Sequence, residues 1–261
     1  MQILVVSDLH YTLKQLDWVA RVAGEFDVVV IAGDHLDISS TVAAQVQIVV
    51  ILKYLRGLKD KTQVLVCSGN HDLDARDGVG EKVAGWTRQI RQLGIPTDQD
   101  HLERDGTLFT ICPWWDGPHA RELVGQQLER DAARTKERWI WVYHAPPSDS
   151  PTSRSGARSH GDDDLSEWIH RYQPDLVLTG HIHDAPFSEH GSWFDQKGTT
   201  VILNSGRQIG PCPAHIIFDT RVQRAAWFSL AGAETAPLGE PLRPAPSTLT
   251  EDPDWLVPPG P

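Results

Sequence analysis

Residues 2–10 read QILVVSDLH, an aliphatic run of strand length that ends in Asp8, Leu9 and His10. Ile3 to Val6 show no polar alternation, the pattern of a strand covered on both faces. The same arrangement recurs along the chain. Asp27–Ala32 (DVVVIA) ends in Gly33-Asp34-His35-Leu36-Asp37, and Val64–Cys67 ends in Ser68-Gly69-Asn70-His71-Asp72. Trp139–Tyr143 ends in His144, and Asp175–Thr179 ends in Gly180-His181-Ile182-His183. Between the early runs lie helical patterns, over 14–23 with Leu16, Val19, Ala20 and Ala23 on one face, and over about 41–58. Strands alternating with helices predict a largely parallel sheet with right-handed crossovers. The polar ends of its strands then share the carboxyl-terminal edge, where open α/β sheets hold ligands.

Further along, 79–93 is predicted helical with Gly94 as its stop, and 108–112 is a strand running into Pro113-Trp114-Trp115-Asp116. Helices are predicted over 120–136 and 164–172. Beyond His183 the pattern changes: 199–203, 214–219 and 222–230 read as strands joined by tight turns, which predicts antiparallel pairing. The expected architecture is α/β, with two mixed sheets packed face to face and helices outside. It occupies a domain of residues 1–231. From about Gly232 the composition turns Pro-rich and aperiodic, so 232–261 reads as a tail with Trp255 as its large anchor.

Lys and Arg number 24 against 35 Asp and Glu, a formal net charge of −11. That balance argues against an extended grip on nucleic acid, which needs clustered cations. The longest apolar stretch, around 46–52, is too short to span a bilayer. Cys67, Cys112 and Cys212 are too few and scattered for a disulfide framework or a zinc ribbon. No basic and apolar leader precedes the first strand. A reduced, cytoplasmic protein acting on a small molecule is expected; nothing in the pattern sets an oligomeric state.

The five polar ends carry a coherent chemistry. Asp8 and His10, like His181 and His183, are two residues apart, so in extended backbone each pair projects to one side. An ionised Asp34 has two oxygens and can serve two cations about 3.5–4 Å apart. Asn70 offers an amide oxygen, and His144 and His181 offer imidazoles. Nitrogen and oxygen donors without thiolate suit Mn, Fe, Zn, Co or Ni. Taken singly, an Asp after a strand is a turn former or a cap. Together the five ends read as one two-metal site.

The ordered set D-x-H, G-D-x-x-D, G-N-H-[DE], H and G-H-x-H, spanning Asp8 to His183, resembles the calcineurin-like metallophosphoesterase superfamily. The resemblance implies a four-layer α/β/β/α sandwich. It implies one metal on Asp8, His10, Asp34 and His183, and another on Asp34, Asn70, His144 and His181, with Mn or Fe favoured. It also implies His71 as acid or transition-state donor, oriented by Asp37. Two-metal chemistry then gives attack on phosphorus by a metal-bridging hydroxide, with a protonated His71 donating to the leaving group.

Departures from the superfamily narrow the substrate. Its serine/threonine phosphatases carry Arg after G-D-x-x-D and before G-N-H-E, where this chain has Ile38 and Ser68. Its purple acid phosphatases place a Tyr on one iron, whereas the first motif here keeps His10. What remains resembles small bacterial phosphodiesterases, including the class III cyclic-nucleotide group. The expected substrate is a phosphodiester, cyclic or other nucleotides included. A phosphomonoesterase, a nuclease and a non-catalytic metal-binding scaffold of the same fold are the alternatives. Trp114 and Trp115 read either as a stacking platform or as packing. Arg154, Arg158, His160 and Arg207 read either as phosphate contacts or as surface groups. His35 and His190 are expected to take no catalytic part.

Overall fold

Residues of alternate parity in the first strand enter different cores: Ile3 and Val5 join one buried cluster, Leu4 and Val6 another. This is the period-two geometry of a strand covered on both faces. The structure, a computed structural model, describes residues 1–238 and the backbone of Thr248–Leu249. In chain order its main elements begin with β1 (Gln2–Val6), α1 (Leu13–Val22), β2 (Val28–Ala32), α2 (Ala44–Lys59) and β3 (Gln63–Cys67). Next come α3 (Thr87–Gln92), β4 (His101–Arg104), β5 (Thr107–Ile111), α4 (Pro118–Ala132) and β6 (Arg138–Val142). Then follow α5 (Asp163–Tyr172), β7 (Leu176–Thr179), β8 (Phe194–Lys197) and β9 (Thr200–Asn204). The last are β10 (His215–Asp219), β11 (Arg224–Ser229) and β12 (Gly232–Pro237).

The first sheet runs β12-β11-β10-β1-β2-β3, with Thr248–Leu249 added at the β12 edge. Its β1, β2 and β3 are parallel, and β10 pairs antiparallel with β1. The second sheet runs β8-β9-β7-β6-β5-β4, parallel except for antiparallel strands at the two edges. Between the sheets, Ile3, Val5, Val30 and Leu65 meet Phe109, Ile140, Val142 and Leu178. Outside the first sheet, Leu4, Val29 and Ile31 pack on Leu16, Val19, Ile51 and Leu55 of α1 and α2. Outside the second, Trp139, Trp141 and Val177 pack on Val124, Leu128, Leu165 and Ile169 of α4 and α5. Three apolar cores separate four layers, and the fold is the expected α/β/β/α sandwich. No helix among the described residues is long and apolar enough to cross a membrane.

Three segments differ from the sequence expectation. The helix expected over 79–93 shortens to α3, preceded by a two-residue ladder of Ala75–Arg76 with Lys82–Val83. Asp77 Oδ1 accepts from the amides of Val79 (3.0 Å) and Glu81 (2.9 Å), and this turn chemistry wins over helix. Glu81 then turns outward to accept from His119 N and Ala120 N (both 2.8 Å), satisfying free amides at the start of α4. β9 does not pair with β10. It lies parallel to β7 in the second sheet, and the chain crosses to the first sheet before β10. Finally, the boundary expected at 231 falls inside a hairpin. β12 pairs with β11 over its whole length, and Trp193 Nε1 donates to Glu234 Oε2 (2.7 Å). Its small residues and Pro237 hide it from pattern reading; apart from Leu238 and the backbone of Thr248–Leu249, the remainder of the expected tail, with Trp255, lies outside the described residues.

Candidate metal centre

Asp8 and His10 follow β1, Asp34 follows β2 and Asn70 follows β3, while His144 follows β6 and His181 and His183 follow β7. The two sheets therefore bring their carboxyl-terminal ends together at one end of the sandwich. The loops after β1 and β2 are zipped by Asp8 N to Gly33 O (3.1 Å), His10 N to Asp34 O (2.9 Å) and Tyr11 N to His35 O (2.8 Å). Asp8 (φ 54°), His10 (40°), Asp34 (54°) and His181 (67°) all adopt left-handed backbone. Each such residue costs about 1–2 kcal/mol, and a concentration of them at one site marks backbone held against its local preference for function. Gly33, at φ +88°, has a second constraint: a Cβ there would enter the His144 ring. A Cβ on Gly69 would likewise meet the Asp34 carboxylate.

Asp34 is 1% exposed and central. Its Oδ1 accepts from His71 N (2.9 Å). Its Oδ2 faces Nε2 of His144 (3.2 Å), His10 (3.6 Å) and His71 (3.9 Å). Asp8 Oδ2 accepts from the Ser7 hydroxyl and from His181 N (3.0 Å), while its Oδ1 faces His183 Nε2 at 3.2 Å. His10 Nε2 and His183 Nε2 stand 3.1 Å apart. Ligand atoms of Asp8, His10, Asp34 and His183 lie within 4.8 Å of one another, as do those of Asp34, His144 and His181. Asp34 belongs to both groups.

Whether these residues suit metal ions can be read from atoms that lack partners. His144 Nδ1 donates to the Ala32 carbonyl (2.8 Å), which directs Nε2 into the site, where loss of its proton would free a lone pair for a metal. That Nε2 is buried and, although near Asp34, makes no hydrogen bond; the Oδ1 of Asn70 is likewise buried without a partner. Each orphaned polar atom costs about 1–3 kcal/mol, a cost that cations bound by these donors would relieve. The electrostatics agree. Burial opposes charge on Asp8, yet hydrogen bonds and charge from His10, His183 and His144 hold its carboxyl well below the ordinary range. Burial also opposes charge on His144, but the Asp34 and Asp8 carboxylates and the Ala32 carbonyl push it up to about 9. Burial and the neighbouring His144 push His181 down to about 4. The metal-free protein thus holds a proton where bound metal would displace it. Two carboxylates, an amide oxygen and four imidazoles, with no thiolate, fit divalent transition metals.

His71 stands beside these groups, its ring edge-on to His10 with centroids 4.6 Å apart. Its Nδ1 is buried without a partner, and burial lowers its pKa. The expected pairing with Asp37 is not formed. Asp37 Oδ1 accepts instead from Ser39 N (2.8 Å) and Ser39 Oγ (2.6 Å), because the tight turn after β2 captures its own carboxylate. The loop bearing His71 is positioned by Asp72, which accepts from Gly69 N (2.8 Å), His35 N and Leu36 N (both 3.0 Å). Behind it, Ser68 donates its amide to Asp98 (2.8 Å) and accepts from Trp114 N (3.0 Å). Sequence reading missed Asp72, Asp98, Ser7 and Ser205 as supports. Ser205 Oγ lies 2.7 Å from Ser7 Oγ, a contact between residues 198 apart that no local spacing signals.

The two tryptophans divide. Trp115 stacks on Tyr143 (4.1 Å, 3°) and meets Trp168 edge-on, so it is packing. Trp114 lies against His181 (5.2 Å) and His144 (5.7 Å) and walls that side of the centre. Arg154, Arg158 and His160 are exposed on or beside a two-residue ladder, and buried His35 points its Nε2 at the Cys67 carbonyl (3.0 Å).

Comparison with known proteins bears on the same residues. Curated protein sequences give no significant match. Among solved structures, TT1561 of Thermus thermophilus aligns with a TM-score of 0.58 at 14% identity, over 90% of this chain and 98% of that one. Purple acid phosphatase PPD1 from yellow lupin (Lupinus luteus) seeds aligns with a TM-score of 0.50 at 13% identity, over 91% of this chain and 51% of that one. At such identities the likeness is one of fold. The family model described as calcineurin-like phosphoesterase matches residues 1–185, which takes in all five loops that carry the candidate ligands. On that match, the chain belongs to the calcineurin-like phosphoesterase family.

Proposed function

We propose that this protein is a binuclear metal-dependent hydrolase of small phosphoesters, with phosphodiesters, cyclic or other nucleotides among them, as its preferred substrates. The observation that carries the reading is the shared Asp34: two convergent ligand groups meet in one carboxylate, as a paired-metal site requires. One ion would be held by Asp8, His10, Asp34 and His183, the other by Asp34, Asn70, His144 and His181. Mn and Fe are favoured for this donor set. Bound there, such ions supply Lewis acidity and neutralise charge on the phosphoryl oxygens.

The chain's own residues do the rest. His71 presents Nε2 to the centre and can pass a proton to the leaving-group oxygen. Burial disfavours its charged form and Asp37 is engaged by Ser39, so the proton it donates is taken up without help from that carboxylate. Trp114 screens His144 and His181 from water on their outer side. The diester preference rests on two positions: Ile38 is 72% exposed, and Ser68 is buried with its hydroxyl engaged by Trp114 N, so neither grips a phosphate. The same proposal places the reaction in the cytoplasm, where the unpaired Cys67, Cys112 and Cys212 stay reduced.

The test is a panel of cyclic nucleotides, aryl phosphodiesters and aryl phosphomonoesters, assayed with Mn²⁺ and with a chelator. Turnover that needs metal and favours diesters is expected. A protein loaded with metal that hydrolyses none of them is a scaffold, and the proposal fails.

A further inference from the structure

Asn204-Ser205-Gly206-Arg207 leaves β9 and is tied at Asn204, Ser205 and Arg207 to the segments that carry the candidate metal ligands. Asn204 Nδ2 donates to Ile182 O (3.1 Å) and Thr152 O (2.9 Å), and Asn204 Oδ1 accepts from Gly206 N (2.8 Å). Ser205 Oγ meets Ser7 Oγ, which donates to Asp8, and Ser205 O accepts from Trp227 Nε1 (2.9 Å). Arg207 N donates to His183 O (3.0 Å). Arg207 therefore starts from a rigid point beside His183, whose side chain is 38% exposed at the mouth of the centre.

The Arg207 side chain is half-buried and makes no hydrogen bond or ion pair among the described residues. Its charge is nonetheless felt across the mouth. The Asp37 carboxyl is held low first by Ser39, and then by His10 and Arg207. A guanidinium stays charged at any relevant pH and presents a planar fork that matches phosphate oxygens. Half-buried and without an ion pair among the described residues, it keeps its donors free for an anion. It enters from the second sheet, whereas Ile38 and Ser68 follow strands of the first.

We propose that Arg207 grips the phosphoryl group, its guanidinium hydrogen-bonding a non-bridging oxygen of the ester held at the metal centre. This rests on the phosphoesterase reading and adds the contact that orients the substrate, on the Asp8, His10 and His183 side. One guanidinium can serve a diester, which has two non-bridging oxygens and a single negative charge.

The Arg207→Ala variant isolates the guanidinium, because the backbone bond to His183 O survives it. Metal content, inorganic phosphate binding to the Mn²⁺-loaded protein by calorimetry, and KM and kcat for bis(p-nitrophenyl) phosphate are compared with wild type. Unchanged metal content is expected, with the phosphate Kd and the KM each raised about 10- to 100-fold, and Arg207→Lys in between. A phosphate Kd within about twofold of wild type overturns the proposal. Loss of metal in both variants overturns it too, by making Arg207 structural. If the loaded wild type binds phosphate and Arg207→Ala does not, but no ester is turned over, catalysis is refuted while the contact stands. A loaded wild type that binds no phosphate refutes the contact.

Discussion

Replacing Asp34 with Asn keeps the shape of the side chain and an acceptor for His71 N, and removes the charge shared by both ligand groups. In the chelated protein its main consequence concerns His144. That imidazole is raised from 6.5 to about 9 against the cost of its burial, with Asp34, 3.2 Å away, the largest favourable influence. A rise of that size corresponds to about 3 kcal/mol. A basic group whose folded pKa is raised binds protons more tightly when folded. Its contribution is complete below about pH 6.5 and is lost as pH climbs through about 9. Urea unfolding of chelated wild type from about pH 6 to about pH 9.5 should show this decline, and Asp34→Asn should flatten most of it and be less stable at the acid end. Metal content, measured alongside, should fall at both sites. An unaltered pH slope, or a variant that still carries two ions per chain, would refute the assignment of Asp34 as the shared carboxylate.

Two further outcomes follow from the supporting groups. His71→Ala should retain its metal and lose about 10²- to 10⁴-fold in turnover, most of all for esters with poor leaving groups; an equal loss across leaving groups would count against proton donation. Asp98 is pushed up to about 7 by burial, only partly offset by its hydrogen bonds from Ser68, so its folded form favours the protonated carboxyl. Its stability penalty is absent below about pH 4, grows between about 4 and 7, and reaches about 4 kcal/mol above that. Asp98→Asn, which can still accept from Ser68 N, should gain stability relative to wild type across that window in chelated unfolding curves, and parallel curves would rule the effect out.

The parallel half of the first sheet was legible because its strands are apolar on both faces and stop abruptly at polar residues. Val28–Ala32 followed by Asp34 needs no tertiary information to be placed. β12 was not legible: Ala233, Glu234, Thr235 and Ala236 carry little hydrophobic signal, and the strand exists because β11 offers it an edge. β9 shows the same limit in another form, since its sequence says strand while its partner is chosen by which sheet has room. At the site, the residue types and the order of the seven candidate ligands could be read from spacing, and the structure gathers the donor atoms of six of them into two groups that share Asp34. Asp37 could not, because a carboxylate two residues before Ser39 has a local partner that competes with a distant imidazole.

The sequence by itself determined which residues are candidates for the chemistry, since side-chain type and strand-end position are local properties. The tertiary structure decided how those residues are held and which groups answer to them. The zipper from Asp8 N to Gly33 O, the Ser205–Ser7–Asp8 chain, the Ala32 carbonyl on His144 and the Arg207 amide on His183 O all join residues distant in the chain. Such contacts exist only after two sheets, each organised by its own apolar runs, have packed and brought their ends to one place. Burial then does what no spacing rule encodes: it lowers His71 and raises Asp98, and it leaves His144 Nε2 and Asn70 Oδ1 without partners among the protein's own groups.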